Sequence, residues 1–200
     1  MAAVTEIPPI TAAPPPPQPR PRVLVVGSLA ASVSTAMCLV GLIGIYLARR
    51  ADVVNTGEAW IPRGLDAQLA QPTMVMLTFG LSIITAVWMI DALRRDDRQH
   101  AWIATGLTMM FGLAIVNQVT YSLGLLGAST ETEPGTLILT IIWFHVAMTI
   151  IGMTFLGVVF VRSLFGQYRR IPDGAAAAAI WWITTALLWP PIWYAIYVSK

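Results

Sequence analysis

The stretch Thr136–Val161, TLILTIIWFHVAMTIIGMTFLGVVFV, contains no Asp, Glu, Lys or Arg. At about 1.5 Å of helical rise per residue, it is long enough to cross a hydrocarbon core of about 30 Å. It also holds His145, the only histidine in any apolar run of the chain. Because an imidazole needs hydrogen bonds and water is scarce there, we expect His145 to be bonded to a neighbouring helix rather than to carry a ligand or a proton. The stretch predicts a membrane-spanning helix.

The composition extends this prediction to the whole chain. Of the 200 residues, 56% are hydrophobic and 11% are charged, whereas an ordinary soluble domain has about 25% charged residues. The pattern predicts an all-α, polytopic membrane protein with a single five-helix domain over residues 23–200, and a disordered Pro-rich tail over residues 1–22. The predicted spans cover about 23–48, 72–93, 101–124, 136–161 and 175–198.

The basic residues give the orientation. They lie in small groups at span ends, a pattern typical of topology signals and not of a nucleic-acid interface, so no nucleic-acid partner is expected. More of them fall on the side of the N-terminus than on the opposite side. The bias predicts a multi-pass protein of the cell membrane, plasma or inner, with its N-terminus in the cytoplasm.

Small residues recur in the first span with a spacing of four, three, four and three. Such a spacing places them on one face of the helix, where small side chains allow two helices to approach closely. We expect this seam to pack against a protein neighbour, which is either another helix of this chain or another subunit. The seam consists of Gly27, Ala31, Ser34, Cys38 and Gly41.

A few polar residues lie within or near the spans. Asp91 comes one helical turn before Arg94 and Arg95, which favours an ion pair at the membrane surface over a proton relay. Asn117 and Gln118 lie in the third span, and we expect their amides to be buried and bonded across helices rather than to line a conduction path. In the last span, Pro190 is expected to kink the helix, and the aromatic residues around it place that end at the membrane interface.

The ligands for redox or hydrolytic chemistry are missing from this pattern. A membrane haem needs two axial histidines, and copper or di-iron sites need several His or carboxylate ligands. The spans supply only His145 and the peripheral Asp91. We therefore assign no catalytic, cofactor-binding or metal-binding residue. A small transporter that uses Asp91, Asn117, Gln118 and His145 is the alternative from another class, although the chain shows no internal repeat.

Several residues of the spans match one family pattern in order. They are Ser34, Gly41 and Tyr46 in span one, Gln118 in span three, Phe144, His145 and Gly152 in span four, and Trp181 in span five. In this order and with these loop lengths, the chain resembles subunit III of the haem-copper oxidases in its five-helix form, which includes the related nitric oxide reductase accessory subunit. The chain also departs from the family: Thr35 stands where the family has a glutamate, and Met148 replaces a second histidine.

The resemblance implies a five-helix bundle with no active site of its own. Such a subunit supports the assembly and stability of catalytic subunit I in aerobic electron transport, contacts other subunits and membrane lipids, and leaves haem and copper to its partner. A nitric oxide reductase accessory subunit, or an orphan membrane protein that kept the fold, are alternatives. The residues assigned to helix or subunit packing are Gly27, Ala31, Ser34, Cys38, Gly41, Tyr46, Gln118, Phe144, His145, Gly152 and Trp181.

Overall fold

A computed structural model describes residues 22–61, 65, 68–166 and 172–199 of the chain. Five helical segments in these ranges are long and apolar enough to cross a membrane, and no strand occurs among the described residues. The chain therefore has the all-helical architecture of a multi-pass membrane protein. The predicted tail lies outside these ranges, apart from Arg22. The helices are α1 (Val23–Asn55), α2 (Ala70–Arg94), α3 (Arg98–Leu126), α4 (Glu133–Leu164), α5 (Asp173–Leu187) and α6 (Trp189–Trp193), followed by a π-helical turn (Tyr194–Val198).

The helices are longer than the apolar runs that predicted them. The first helix, α1, continues past Ala48 to Asn55. Its added turns bring Arg49 near the start of α4, where Nε of Arg49 lies 3.3 Å from a carboxylate oxygen of Glu133. Hydropathy marks the part of a helix that lies in hydrocarbon, and polar residues with adequate helix propensity prolong it into the headgroup region.

A tight turn joins α2 to α3 and makes them an antiparallel hairpin. The predicted ion pair of Asp91 with Arg95 closes the end of α2. The turn places Asp96 in the left-handed region, with φ of 57°. Asp97 then caps α3, because its carboxylate accepts a hydrogen bond from the backbone N–H of His100 at 3.2 Å. This bond and a second one from the His100 ring hold the pKa of Asp97 below its ordinary 3.8.

The fifth span is at the centre of the bundle and α1 is at its edge. Helix α5 packs against α1, α2 and α4, while α2 packs most extensively against α3. In the most apolar window of each span, 56% of the residues of the fifth span are buried inside the protein, against 11% for α1. A helix buried on most sides has to satisfy its polar groups with its neighbours, whereas α1 leaves most of its surface outside the bundle.

The prolines interrupt the fifth span as the sequence predicts. Regular α5 ends at Leu187, and a new short helix starts at Trp189 with Pro190 and Pro191 in its first turns. A proline has no N–H to donate and cannot continue the ladder of backbone hydrogen bonds, so carbonyl groups before the break become available to other donors.

Candidate functional site

His145 is fully buried and connects α4 to the break in the fifth span. Its Nε2 donates a hydrogen bond to the backbone carbonyl of Thr185 at 2.9 Å. The ring also contacts Phe79 and Trp189, with centroid distances of 5.5 Å and 5.3 Å. This confirms the prediction that the ring is bonded to another helix. Because Nε2 carries the proton, the neutral ring keeps its lone pair on Nδ1, which has no hydrogen-bond partner among the described residues.

The position of Thr185 explains why its carbonyl accepts this bond. Thr185 lies three residues before Leu188, where the regular pattern of α5 ends. The N–H of Leu188 is shared between the carbonyls of Thr184 and Thr185, at 3.2 Å and 3.3 Å, so neither receives a full bond from the backbone. In a membrane such carbonyls have to be satisfied by neighbouring helices. His145 supplies that donor.

Two tryptophans bond the fifth span to α2. The indole N–H of Trp182 donates to the hydroxyl oxygen of Ser82 at 3.0 Å, and that of Trp189 donates to the carbonyl oxygen of Pro72 at 2.9 Å. All of Trp182 and Trp189 is buried. The sequence predicts that Trp189 and the aromatic residues after it place this end of the span at the membrane interface. The structure adds that the Trp189 indole faces the interior of the bundle, beside Pro72 in the first turn of α2.

A third tryptophan bonds the fifth span to α4. The indole N–H of Trp181 donates to the backbone carbonyl of Met148 at 3.0 Å. The two helices approach closely at Gly152, where a Cβ atom would lie 2.9 Å from Trp182 and 3.1 Å from Trp181. Gly152 is therefore needed for the space that two indole rings occupy. Phe144, the other residue of α4 taken from the family pattern, is half-buried against the core.

Helices α1 and α3 are bonded to the fifth span as well. The hydroxyl of Ser28 donates to the carbonyl of Ala177 at 2.6 Å, and the hydroxyls of Ser122 and Tyr197 lie 3.2 Å apart. Each of the other four spans thus shares at least one side-chain hydrogen bond with the fifth. These contacts use polar atoms to position helices.

The two neighbouring amides of α3 have different surroundings. Gln118 is half-buried and accepts a hydrogen bond from the hydroxyl of Thr78 in α2 at 3.3 Å, as predicted. Asn117 was also expected to be buried, and this is wrong. Its side chain is exposed on the outer surface of the bundle, in a groove between α3 and α4. Successive residues of a helix differ by about 100° in direction, so only one of the two can face α2.

The small residues of α1 do not pack inside the chain. The face of α1 that contacts the bundle carries Ser32, Leu39, Ile43 and Tyr46. Tyr46 packs edge-on against the buried Trp60 with a centroid distance of 5.6 Å. The predicted seam lies to one side of this face and is exposed, so its packing against another helix of the described chain is wrong. We call this exposed seam the small-residue flank: Gly27, Ala31, Ser34, Cys38 and Gly41.

The rest of the exposed surface of α1 has a different character. The bundle-facing stripe of α1 has the small-residue flank on one side and a stripe of large aliphatic side chains on the other. Met37 belongs to this stripe of large residues and is 71% exposed. In contrast, a Cβ atom added to Gly27 or Gly41 would meet nothing within 4 Å. One flank of α1 therefore resembles an ordinary lipid-facing surface and the other is smooth. We call the first the large-residue flank: Val26, Leu29, Val33, Met37 and Val40.

Within the described residues, no group of three or more His, Cys, Asp or Glu side chains is close enough together to hold a metal ion. The arrangement of described polar residues is one that holds helices together and offers outer surfaces to other molecules. A scan against protein-family models finds no matching family, and a search of curated proteins finds no similar chain.

Proposed function

We propose that this chain is a non-catalytic accessory subunit of a respiratory haem-copper oxidase, of the subunit III type. In this role it supports the assembly and stability of catalytic subunit I, which carries the haem and copper. The proposal places the chain in the plasma or inner membrane with its N-terminus in the cytoplasm. It is supported by the family resemblance of the sequence and by the way that the polar residues of the spans are used.

The observation that carries the proposal is the small-residue flank of α1. Gly27, Ser34 and Gly41 are exposed, although small residues at this spacing are typical of helix interfaces in membranes. Lipid chains gain little from a smooth helix surface, whereas a second helix gains dispersion contacts over its whole length. The flank thus supports a protein partner inside the membrane, and the large-residue flank is assigned to lipid.

The buried contacts are consistent with a structural role. His145 donates to the Thr185 carbonyl, and Trp181 donates to the Met148 carbonyl, so both polar groups are engaged in joining α4 to the fifth span. A transporter would need such groups beside a cavity at the membrane midplane. Trp181 borders an outer groove of about 630 Å³ between α1, α4 and α5. Its indole N–H, like Nε2 of His145, is nevertheless engaged in a bond between helices. This favours a scaffold that presents its outer faces to a partner.

The test is a purification of the tagged chain from native membranes in mild detergent, followed by a visible absorption spectrum. The expected result is a stoichiometric complex with haem absorption bands and a large multi-span partner. The bands and the reduced-minus-oxidised difference spectrum also distinguish an oxygen-reducing oxidase from a nitric oxide reductase. A colourless, monodisperse chain without a haem-bearing partner would contradict the proposal.

A further inference from the structure

A long groove runs along the outer surface between α3 and α4. It has a volume of about 920 Å³ and is lined mainly by apolar side chains, among them Leu113 and Val158. Its wall on α4 also carries Gly157 and Thr154, where small side chains leave room for a close neighbour. We call it the α3/α4 groove. Its position is separate from the small-residue flank of α1.

The groove is also lined by four polar residues, Asn117, Thr120, Thr154 and Arg162. The hydroxyls of Thr120 and Thr154 donate to backbone carbonyls of their own helices, and Arg162 lies in the last turn of α4. The polar residue that remains is Asn117. Its amide makes no hydrogen bond to any described residue and is exposed. Asn117 precedes Tyr121 by about one helical turn in α3. Tyr121 is an exposed aromatic residue near the end of this helix and is suited to the headgroup level of the membrane. The amide is therefore about 6 Å farther into the membrane than Tyr121. An amide with two donors and an acceptor is costly in hydrocarbon unless another molecule bonds to it.

The chemistry and shape of the groove select its occupant. The acyl chains of a lipid can fill apolar space, but their ester oxygens lie near the headgroup level. At the depth of Asn117 they offer only hydrocarbon, which cannot bond to an amide. A second copy of this chain, related by a twofold axis, would place one concave groove against another and leave a void at Asn117. A single helix is convex and can enter a groove between two helices, and a polar side chain on it can bond to the amide.

We propose that the α3/α4 groove is the docking site for one transmembrane helix of a different protein, and that this helix carries a polar side chain that hydrogen-bonds to Asn117. The inference rests on the proposed function in one respect, namely that the chain works beside a membrane partner. Beyond the proposed function, it specifies that the partner's helix binds in the α3/α4 groove and that a hydrogen bond to Asn117 recognises this helix.

The test uses photo-crosslinking of the full chain in native membranes. The crosslinker p-benzoyl-phenylalanine replaces Leu113, which is 62% exposed in the groove, or Ile84, which is 65% exposed on α2 and serves as the matched control. We expect an adduct with another polypeptide from position 113 and not from position 84. Mass spectrometry should place the linked peptide in an apolar segment of about 20 residues.

If the yield of the crosslinked adduct depends on the Asn117 amide, the adduct reports specific docking and not an accidental contact. The substitution Asn117→Leu should lower the yield of the adduct roughly threefold to tenfold, which corresponds to one hydrogen bond between helices in a membrane. The substitution Asn117→Gln keeps the donor and acceptor and should retain most of the yield. Because Asn117 makes no hydrogen bond within the described chain, both variants are expected to remain folded, and equal recovery of monodisperse protein checks this.

Three results would overturn the inference: adducts with lipid alone, adducts only between copies of this chain, or a yield that Asn117→Leu leaves unchanged. The haem content of the same preparation keeps the two proposals apart. Haem without a groove adduct would overturn the docking site and leave the accessory role standing. An Asn117-dependent adduct with a partner that contains no haem would support the docking site and contradict the oxidase assignment.

Discussion

Gly152 and Trp182 are in such close contact that a single added carbon would not fit between them. A Cβ atom at position 152 would lie 2.9 Å from Cε3 of Trp182. The indole cannot easily move away, because its N–H is bonded to Ser82 at 3.0 Å. Helices α4 and α5 therefore approach each other at a distance that only glycine permits.

The first prediction follows from this contact. Gly152→Ala should lower the stability of the purified protein by about 1 to 3 kcal/mol, as overpacking of a rigid core does, and reduce its melting temperature by several degrees. Gly80→Ala is the matched control, because a Cβ atom there meets nothing within 4 Å. It should leave the melting temperature unchanged or raise it, since alanine favours the helix. Equal effects of the two substitutions would contradict the packing argument.

The second prediction concerns His145. His145→Leu removes the donor to the Thr185 carbonyl and should destabilise the break in the fifth span by about 1 to 2 kcal/mol. The yield of folded chain and of the complex should fall, while turnover per assembled complex stays normal. His145→Gln, which retains an N–H donor, should recover part of the yield. A normal yield of complex with slow turnover would argue for a direct role in the reaction instead.

The third prediction separates the indole N–H from the indole ring. Trp189→Phe keeps an aromatic ring in the core but loses the bond to the Pro72 carbonyl, so we expect a loss of about 0.5 to 2 kcal/mol in thermal unfolding. Trp143→Phe is the control, because Trp143 is 52% exposed. If both variants melt alike, the hydrogen bond contributes nothing measurable.

The fourth prediction is a pH dependence. The pKa of Asp97 is below its ordinary 3.8 because hydrogen bonds from His100 favour the carboxylate. A carboxyl group with a lowered pKa stabilises the folded state above its ordinary pKa, and this stabilisation is lost as the pH falls. The difference in melting temperature between the unmodified chain and Asp97→Asn should therefore shrink between about pH 5 and pH 3. A difference that stays constant over this range would show that Asp97 does not titrate in this way.

The fifth prediction tests the small-residue flank. Gly41→Leu should not lower the melting temperature of the isolated chain, because Gly41 is exposed and a Cβ atom there meets nothing within 4 Å. It should, however, reduce the amount of partner that co-purifies. Val40→Leu on the large-residue flank is the control and should affect neither quantity, since Val40 is 54% exposed. A normal amount of partner with Gly41→Leu would place the interface on another surface.

The sequence predicts some of these features well because they depend on local properties. The length of an apolar run determines whether it can cross a membrane, so the five spans are readily predicted. The need of a buried ring for a partner likewise predicts that His145 bonds to another helix. The break at Pro190 follows from the missing N–H of proline.

Other features depend on how the helices are rotated and which of them are neighbours. The spacing of Gly27 and Ala31 shows that they share a face, but not that this face turns away from the bundle. The same limit applies to Asn117 and Gln118, which differ by one position and have opposite surroundings. The inward direction of Trp189 could be found only once Pro72 was known to lie beside it.

The central position of the fifth span has a consequence for biosynthesis. Helices enter the membrane in chain order, so the helix to which the other four are bonded is the last of the five to arrive. Until then, the Ser82 hydroxyl and the His145 ring, which bond to Trp182 and Thr185 in the finished bundle, lie in the membrane without these partners. Insertion of the fifth span is therefore the step at which a loose set of helices becomes a single cooperative unit, and membrane proteases that recognise unsatisfied polar groups should act before that step.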